Sequence, residues 1–208
     1  MSTSSRRSRG RSPSSRTCSA SAGPSEGVRR DAERAQGRGA ARDPAQWELD
    51  VLPGDEPFPP EDGGTYYDNA LIKARFGRSL APGRWVLGED SGIEAEALGG
   101  RPGIASARWA DDGVARLLEE LDGVEDRRAR YVCELVALSP DGEELRGSGT
   151  LDGRVGTERR GDEGFGYDPI FIPEGEQRTV AELGNAWKRE HSHRARAARA
   201  LAATLGRT

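Results

Sequence analysis

Cysteine, histidine and lysine are nearly missing from this chain, with two of each among 208 residues. Cys18 and Cys133 lie far apart and suggest no disulfide framework, and no Cys/His spacing matches a metal site. No apolar run approaches the ~20 residues that cross a bilayer. The chain is polar from Met1, without the apolar stretch of a secretory signal. Together these absences make a cytoplasmic setting with no membrane partner the expectation. Residues 1–44 lack more still: they hold no aromatic, no Leu, no Ile and a single Val. Such a segment buries too little apolar surface to offset its ordering entropy. It is expected to be a disordered or aberrant Arg/Ser-rich tail, with the folded domain in 45–208.

The net charge of −4 conceals a split. Residues 1–44 carry ten arginines against four acidic side chains, whereas 45–208 carry 21 basic and 31 acidic residues. An acidic body is a poor partner for nucleic acid, whose phosphates require a basic face. It can still hold a small polyphosphate where a divalent cation and a few local Arg or Lys residues converge.

From Trp47 the pattern becomes that of a folded α/β chain. Trp47–Leu52 alternates like a short strand, and a Pro-rich loop fills 53–60. Thr65 and Asp68 form a capping pair for a helix running to about Arg78. Tyr67, Ala70, Leu71 and Ala74 lie on its expected inner face, and Lys73 falls off that stripe toward solvent. Trp85-Val86-Leu87 feeds Gly88-Glu89-Asp90-Ser91-Gly92-Ile93, read as a strand that delivers its two carboxylates from its C-terminal end. Gly113–Leu121 predicts a short helix, Ala129–Leu138 a strand, and Asp141-Gly142 a hairpin returning along Glu143–Leu151. Asp152-Gly153 marks another turn. A glycine-rich loop, 161–169, precedes a short strand at Ile170–Ile172. A last helix spans His193–Leu205, with Ser192 as N-cap and Gly206 as its stop.

Three loops carry groups suited to chemistry. Glu89 and Asp90 offer the hard oxygens that suit Mg²⁺, an ion usually shared with substrate phosphates. Phe165, Gly166, Tyr167 and Asp168 sit on a backbone whose glycines permit close approach to a ligand. Lys188, His193 and Arg194 place a cation, an imidazole and a guanidinium around a helix N-terminus, a natural phosphate or polar-ligand site.

These segments also resemble a family. EDSGIEAEALGGRPGIASARWA, GFGYDPIFIP and TVAELGNAWKREHSHRARA are similar, in order, to three signatures of the inosine/xanthosine triphosphate pyrophosphatases, and EDGGTYYDNALIKAR to that family's first helix. The resemblance runs from about Trp47 to the C-terminus. It implies an elongated mixed β-sheet flanked by helices, with two lobes about an active-site cleft, and a homodimer. It implies Mg²⁺-dependent hydrolysis of ITP, dITP and XTP to the monophosphate and pyrophosphate. On this resemblance Asp90 is the catalytic carboxylate and a metal ligand, with Glu89 and Glu61 as further ligands. Ser91, Phe165, Gly166, Tyr167, Asp168, Lys188, His193 and Arg194 would bind the substrate.

One element of the family pattern is missing. Its Thr/Ser-x-Asn-x-x-Lys phosphate loop should lie near Ala22–Asp31, where the chain reads AGPSEGVRRD, without Asn or Lys. A shifted reading frame in GC-rich DNA yields this kind of Arg/Ser/Gly/Ala mixture. The alternatives are therefore a nucleotide-binding remnant of impaired activity, or a Maf-type nucleotide pyrophosphatase.

Overall fold

The computed structural model of the protein describes residues 18–20, 49–52 and 58–205. Among these residues six strands form one sheet in the order β2-β1-β3-β4-β5-β6. They are β1 (Cys18–Ala20), β2 (Leu49–Val51), β3 (Val86–Ala95), β4 (Arg128–Leu138), β5 (Glu144–Val155) and β6 (Phe171–Pro173). Helices flank the sheet, as the α/β reading expects. Every pairing among the described strands is antiparallel, where a mixed sheet is expected. The expected disorder of 1–44 lies outside the described residues except at Cys18–Ala20, which form β1.

Two strands run further than local sequence suggests. β5 continues through Asp152-Gly153, where a turn is expected, because β4 pairs with it on one side and β6 on the other. Two flanking ladders override a local Asp-Gly turn preference. β3 likewise does not end at its carboxylates: Glu89, Asp90 and Ser91 pair in mid-strand with Leu135, Glu134 and Cys133. Side chains alternate along a strand, so Asp90 leaves one face of the sheet while Glu89 and Ser91 leave the other.

Each face carries one helix over the centre of the sheet. α1 (Tyr66–Leu80) begins at Thr65, whose hydroxyl accepts from Asp68 N at 3.1 Å. Its buried face comprises Tyr66, Asn69, Ala70, Leu71, Lys73, Ala74 and Gly77. Tyr67, expected inside, is only half-buried; its hydroxyl donates to Glu144 Oε1 at 2.5 Å. Ala70 and Ala74 pack on Val86, Val136 and Leu138. The helix lies this close because position 88 is glycine: a Cβ there would sit 2.0 Å from Ala70 O.

On the opposite face, α4 (His193–Leu205) packs Ala197 and Leu201 on Leu87, Cys133, Leu135 and Leu145. Gly149 allows the same intimacy there, since a Cβ would lie 2.2 Å from His193 O. Ser192 caps this helix as predicted, its Oγ accepting from Ala195 N. The expected stop at Gly206 lies outside the described residues.

Beyond these helices, α2 (Gly113–Glu120) contributes Leu117 to a third cluster with Ile93, Tyr131, Leu151 and Phe171. α3 (Val180–His191) was not legible as a separate helix. It opens with a full capping box between Thr179 and Glu182, and its helical geometry breaks at Gly184, where φ is 86°. Glu163 of the glycine-rich loop accepts from Asn185 N and Nδ2 at that break, which pins the loop beside the helix.

Candidate active site

Asp90 is 5% exposed and its carboxylate is held on both oxygens. Lys73 Nζ lies 2.7 Å from Oδ1, and Asn69 Nδ2 donates to Oδ2 at 3.2 Å. The same ammonium lies 2.8 Å from Glu61 Oε1, and Arg108 binds the other Glu61 oxygen at 3.0 Å. Lys73 is therefore not a solvent-facing residue, as its place off the apolar stripe suggests, but 1% exposed. Asn69 and Lys73 are one turn apart and share the inner face with Ala70 and Ala74. A hydrophobic pattern discounts such positions because both are polar. The one available signal was rarity, Lys73 being one of two lysines in the chain.

Burial raises the Asp90 carboxyl, against the opposing pull of Lys73 and Asn69. Burial alone would lower the Lys73 ammonium, but Asp90 and Glu61 more than offset it and the net shift is upward. Two carboxylates thus converge on one cation in a desolvated site.

The second cluster occupies the other face. Arg194 donates from Nε to Glu89 Oε1 at 3.0 Å and from Nη2 to Ser91 Oγ at 2.6 Å. Its Nη1 lies 3.2 Å from His193 Nε2. Burial, followed by the charges of Arg194, Lys188 and Arg196, holds His193 well below its usual pKa, so the ring is neutral. With Nε2 accepting from Arg194, the proton falls on Nδ1, which is buried without a hydrogen-bond partner. Lys188 Nζ meets Asp168 Oδ2 at 2.5 Å, and Phe165 N donates to the same oxygen at 2.8 Å. Phe165 stands 61% exposed, with Lys188 Nζ 4.0 Å and Arg194 Cζ 5.0 Å from its ring centre. An exposed aromatic beside two cations is a platform for a flat, electron-rich ligand.

The structure therefore brings Glu89, Ser91, Phe165, Asp168, Lys188, His193 and Arg194 together, and places Asp90 and Glu61 on the opposite side of β3. Glu89 is not brought alongside Asp90 and Glu61, because neighbouring residues on a strand point apart. Tyr167 turns away from the platform: it is buried, its hydroxyl donates to Ser106 O at 3.0 Å, and burial pushes it up to about 12. Gly166, with φ of 59°, forms the bend beside it. The two clusters lie on the two faces of β3, which among the described residues pairs with β1 at Leu87. Beyond that point the partner of Glu89, Asp90 and Ser91 among the described strands is β4.

The model of the Ham1 family matches residues 37–204. This chain belongs to the Ham1 family. The dITP/XTP pyrophosphatase of Bdellovibrio bacteriovorus is 45% identical to it over 150 residues, 68% of this chain and 75% of the relative. The dITP/XTP pyrophosphatase of Rhodospirillum centenum is 46% identical over 169 residues, 77% and 80% of the two chains. Among solved structures, the Ham1 protein of Staphylococcus aureus superposes with a TM-score of 0.67 at 38% identity, covering 73% of this chain and 81% of the other. A nucleoside-triphosphatase / dITP/XTP pyrophosphatase from Mycobacterium abscessus does so at 0.60 and 41% identity, covering 74% and 80%. The family resemblance of the motifs is borne out.

Sequence reasoning missed two residues of the candidate site. Lys73 and Asn69 were hidden by their polarity on a buried stripe.

Proposed function

We propose that this Ham1-family protein hydrolyses the triphosphates of deaminated purines, ITP, dITP and XTP, to the monophosphate and pyrophosphate. The observation that carries this reading is the arrangement on the two faces of β3 about Glu89, Asp90 and Ser91. A carboxylate–ammonium cluster lies on one side and an aromatic platform with donors on the other. The similarity to relatives named dITP/XTP pyrophosphatases supports the same substrates. Membership of the Ham1 family sets the Maf-type alternative aside.

The donor set of the first cluster fits Mg²⁺. Among the described residues no group of three or more His, Cys, Asp or Glu side chains is placed to hold a metal by itself. Mg²⁺, however, commonly takes one or two carboxylates and completes its shell with water and substrate phosphate. Asp90 and Glu61, already converging on one ammonium, would hold it; Glu89, engaged by Arg194 on the far face, would not. When bound, the ion would neutralise charge on the phosphates.

Within this scheme Asp90 orients and deprotonates the attacking water. Asn69 fixes the carboxylate's rotamer, and Lys73 keeps it charged despite burial. On the other face Phe165 stacks on the purine. Lys188 and Arg194, the latter backed by His193 Nε2, supply donors that match a 6-oxo group, whereas a 6-amino group would face like donors unpaired. The acidic body argues against nucleic acid as a partner. No helix among the described residues is long and apolar enough to cross a membrane. Homodimeric assembly is proposed on the family resemblance, and a cytoplasmic location on the composition of the chain.

Pyrophosphate release from ITP, XTP, dITP and ATP with Mg²⁺ tests this reading. Release from the first three well above ATP is expected, and Asp90→Asn should abolish it while preserving the fold. Release from none would favour the second reading, a nucleotide-binding remnant, which the lack of Asn and Lys in residues 22–31 motivates. We further propose that residues 1–44 are translated from a shifted frame. Resequencing the gene should reveal an Asn-x-x-Lys loop in the corrected frame, and its absence there would sink the idea.

A further inference from the structure

Tyr131 lies on β4, on the face of the sheet that carries α4, and is 6% exposed. Its ring stacks on His193, with centroids 4.5 Å apart and planes 15° from parallel. On its other flank it meets Phe171 at 4.4 Å. Its hydroxyl donates to Asp168 Oδ1 at 3.3 Å. Asp168, 3% exposed, uses its other oxygen to hold Lys188 and the Phe165 backbone. One side chain thus touches both halves of the base-reading cluster: Lys188 and Phe165 through Asp168, and Arg194 through His193.

We propose that Tyr131 is a positioning residue for base selectivity, fixing the Asp168–Lys188 pair relative to the His193–Arg194 pair. This rests on the reading of that cluster as the site of a 6-oxopurine. The strand supplies the rigidity, since β4 is paired on both sides along its length. Burial raises the phenol well above its ordinary pKa, so the hydroxyl stays a donor across the working pH range. Asp168 is correspondingly fixed on both oxygens, with Phe165 N, Lys188 and Tyr131 as its donors. Loss of the Tyr131 donor frees Oδ1 and lets the carboxylate rotate, and Lys188 moves with it. Selectivity depends on where Lys188 points, so it falls even though Tyr131 touches no substrate.

The test is calorimetric binding of IMP and AMP to the full-length protein and to Tyr131→Phe, which keeps the ring and its stacking and deletes one hydroxyl. A hydrogen bond of this kind is worth roughly a threefold to tenfold change in an equilibrium constant. The expected result is weaker IMP binding by that factor with AMP binding unchanged, so the ratio of the two dissociation constants narrows equally. In an Asp168→Asn background the same substitution should change the ratio little, because the group through which Tyr131 acts has already been altered. A Tyr131→Phe protein that discriminates as well as the parent overturns the proposal. So does a full effect that persists beside Asp168→Asn, which would mark a general packing role. A parent protein that binds IMP no better than AMP overturns the 6-oxopurine reading and this proposal with it.

Discussion

Lys73 bridges Asp90 and Glu61, its Nζ 2.7 Å from one carboxylate and 2.8 Å from the other, with 1% of the residue exposed. This lysine cannot be removed cheaply, because buried Asp90 would keep no cation and only the Asn69 amide, while partly buried Glu61 would keep Arg108. Lys73→Met should destabilise the fold by about 3–5 kcal/mol, measured by urea unfolding. It should also raise the Asp90 carboxyl further, since the ammonium opposes the upward push of burial. The ionised carboxylate is the active form, so the acid limb of kcat/KM should move to higher pH in any activity that survives. An unshifted limb would remove Asp90 from the role of base.

The opposed directions of Glu89 and Asp90 give a second prediction. If Asp90 and Glu61 hold the metal, Glu61→Gln should raise the Mg²⁺ concentration needed for half-maximal turnover by about tenfold or more. Glu89→Gln should leave that concentration unchanged and instead raise KM for the nucleotide, because Arg194 loses the charged partner that aims it. Titrating Mg²⁺ at saturating ITP separates the two. A Glu89 variant with the larger metal defect would place the ion on the other face.

How much of this was readable in sequence depends on which distance scale set each feature. Caps and turns are local: Thr65, Ser192 and Asp141-Gly142 announced themselves through residue type alone. The mid-strand placement of Glu89-Asp90-Ser91 was not legible, because a run interrupted by two glycines and two carboxylates looks like a strand end. It remains extended because β4 supplies the full ladder. Lys73 and Asn69 were lost for a related reason. Pattern reading assigns polar residues outward, whereas here they face inward to meet a carboxylate from a strand about 20 residues further along. The motifs singled out the residues of the second cluster, yet the division into exposed Phe165 and core-facing Tyr167 needed the fold.

Gly88 should prove as sensitive as a catalytic position. A methyl there would lie 2.0 Å from Ala70 O and 2.6 Å from Ala74 N, so α1 must lift from β3. Gly88→Ala is expected to cost roughly 1–3 kcal/mol in stability, as overpacking typically does. The same displacement draws Lys73 and Asn69 away from Asp90, so kcat should fall well beyond what the unfolded fraction explains, while IMP binding on the opposite face persists. Turnover of the folded fraction at parental rate would show that the Asp90 cluster tolerates helix movement.

His193 should leave a signature in the pH dependence of stability. Its ordinary pKa is near 6.5, and in the folded protein burial, with Arg194, Lys188 and Arg196 nearby, holds it well below that. As pH falls through 6.5 the unfolded chain gains a proton that the native state refuses. Stability is therefore full above 6.5 and declines as pH drops toward the folded value, by at most about 1.4 kcal/mol per pH unit from this one group. Melting temperatures of the parent between pH 7.5 and 5 should fall accordingly. His193→Gln keeps a polar side chain but cannot titrate, and its melting temperature should decline less steeply over the same range, even if it starts lower through loss of the Tyr131 stack. Parallel slopes for the two proteins would mean that His193 accepts its proton in place, and the neutral ring that accepts from Arg194 would then be wrong.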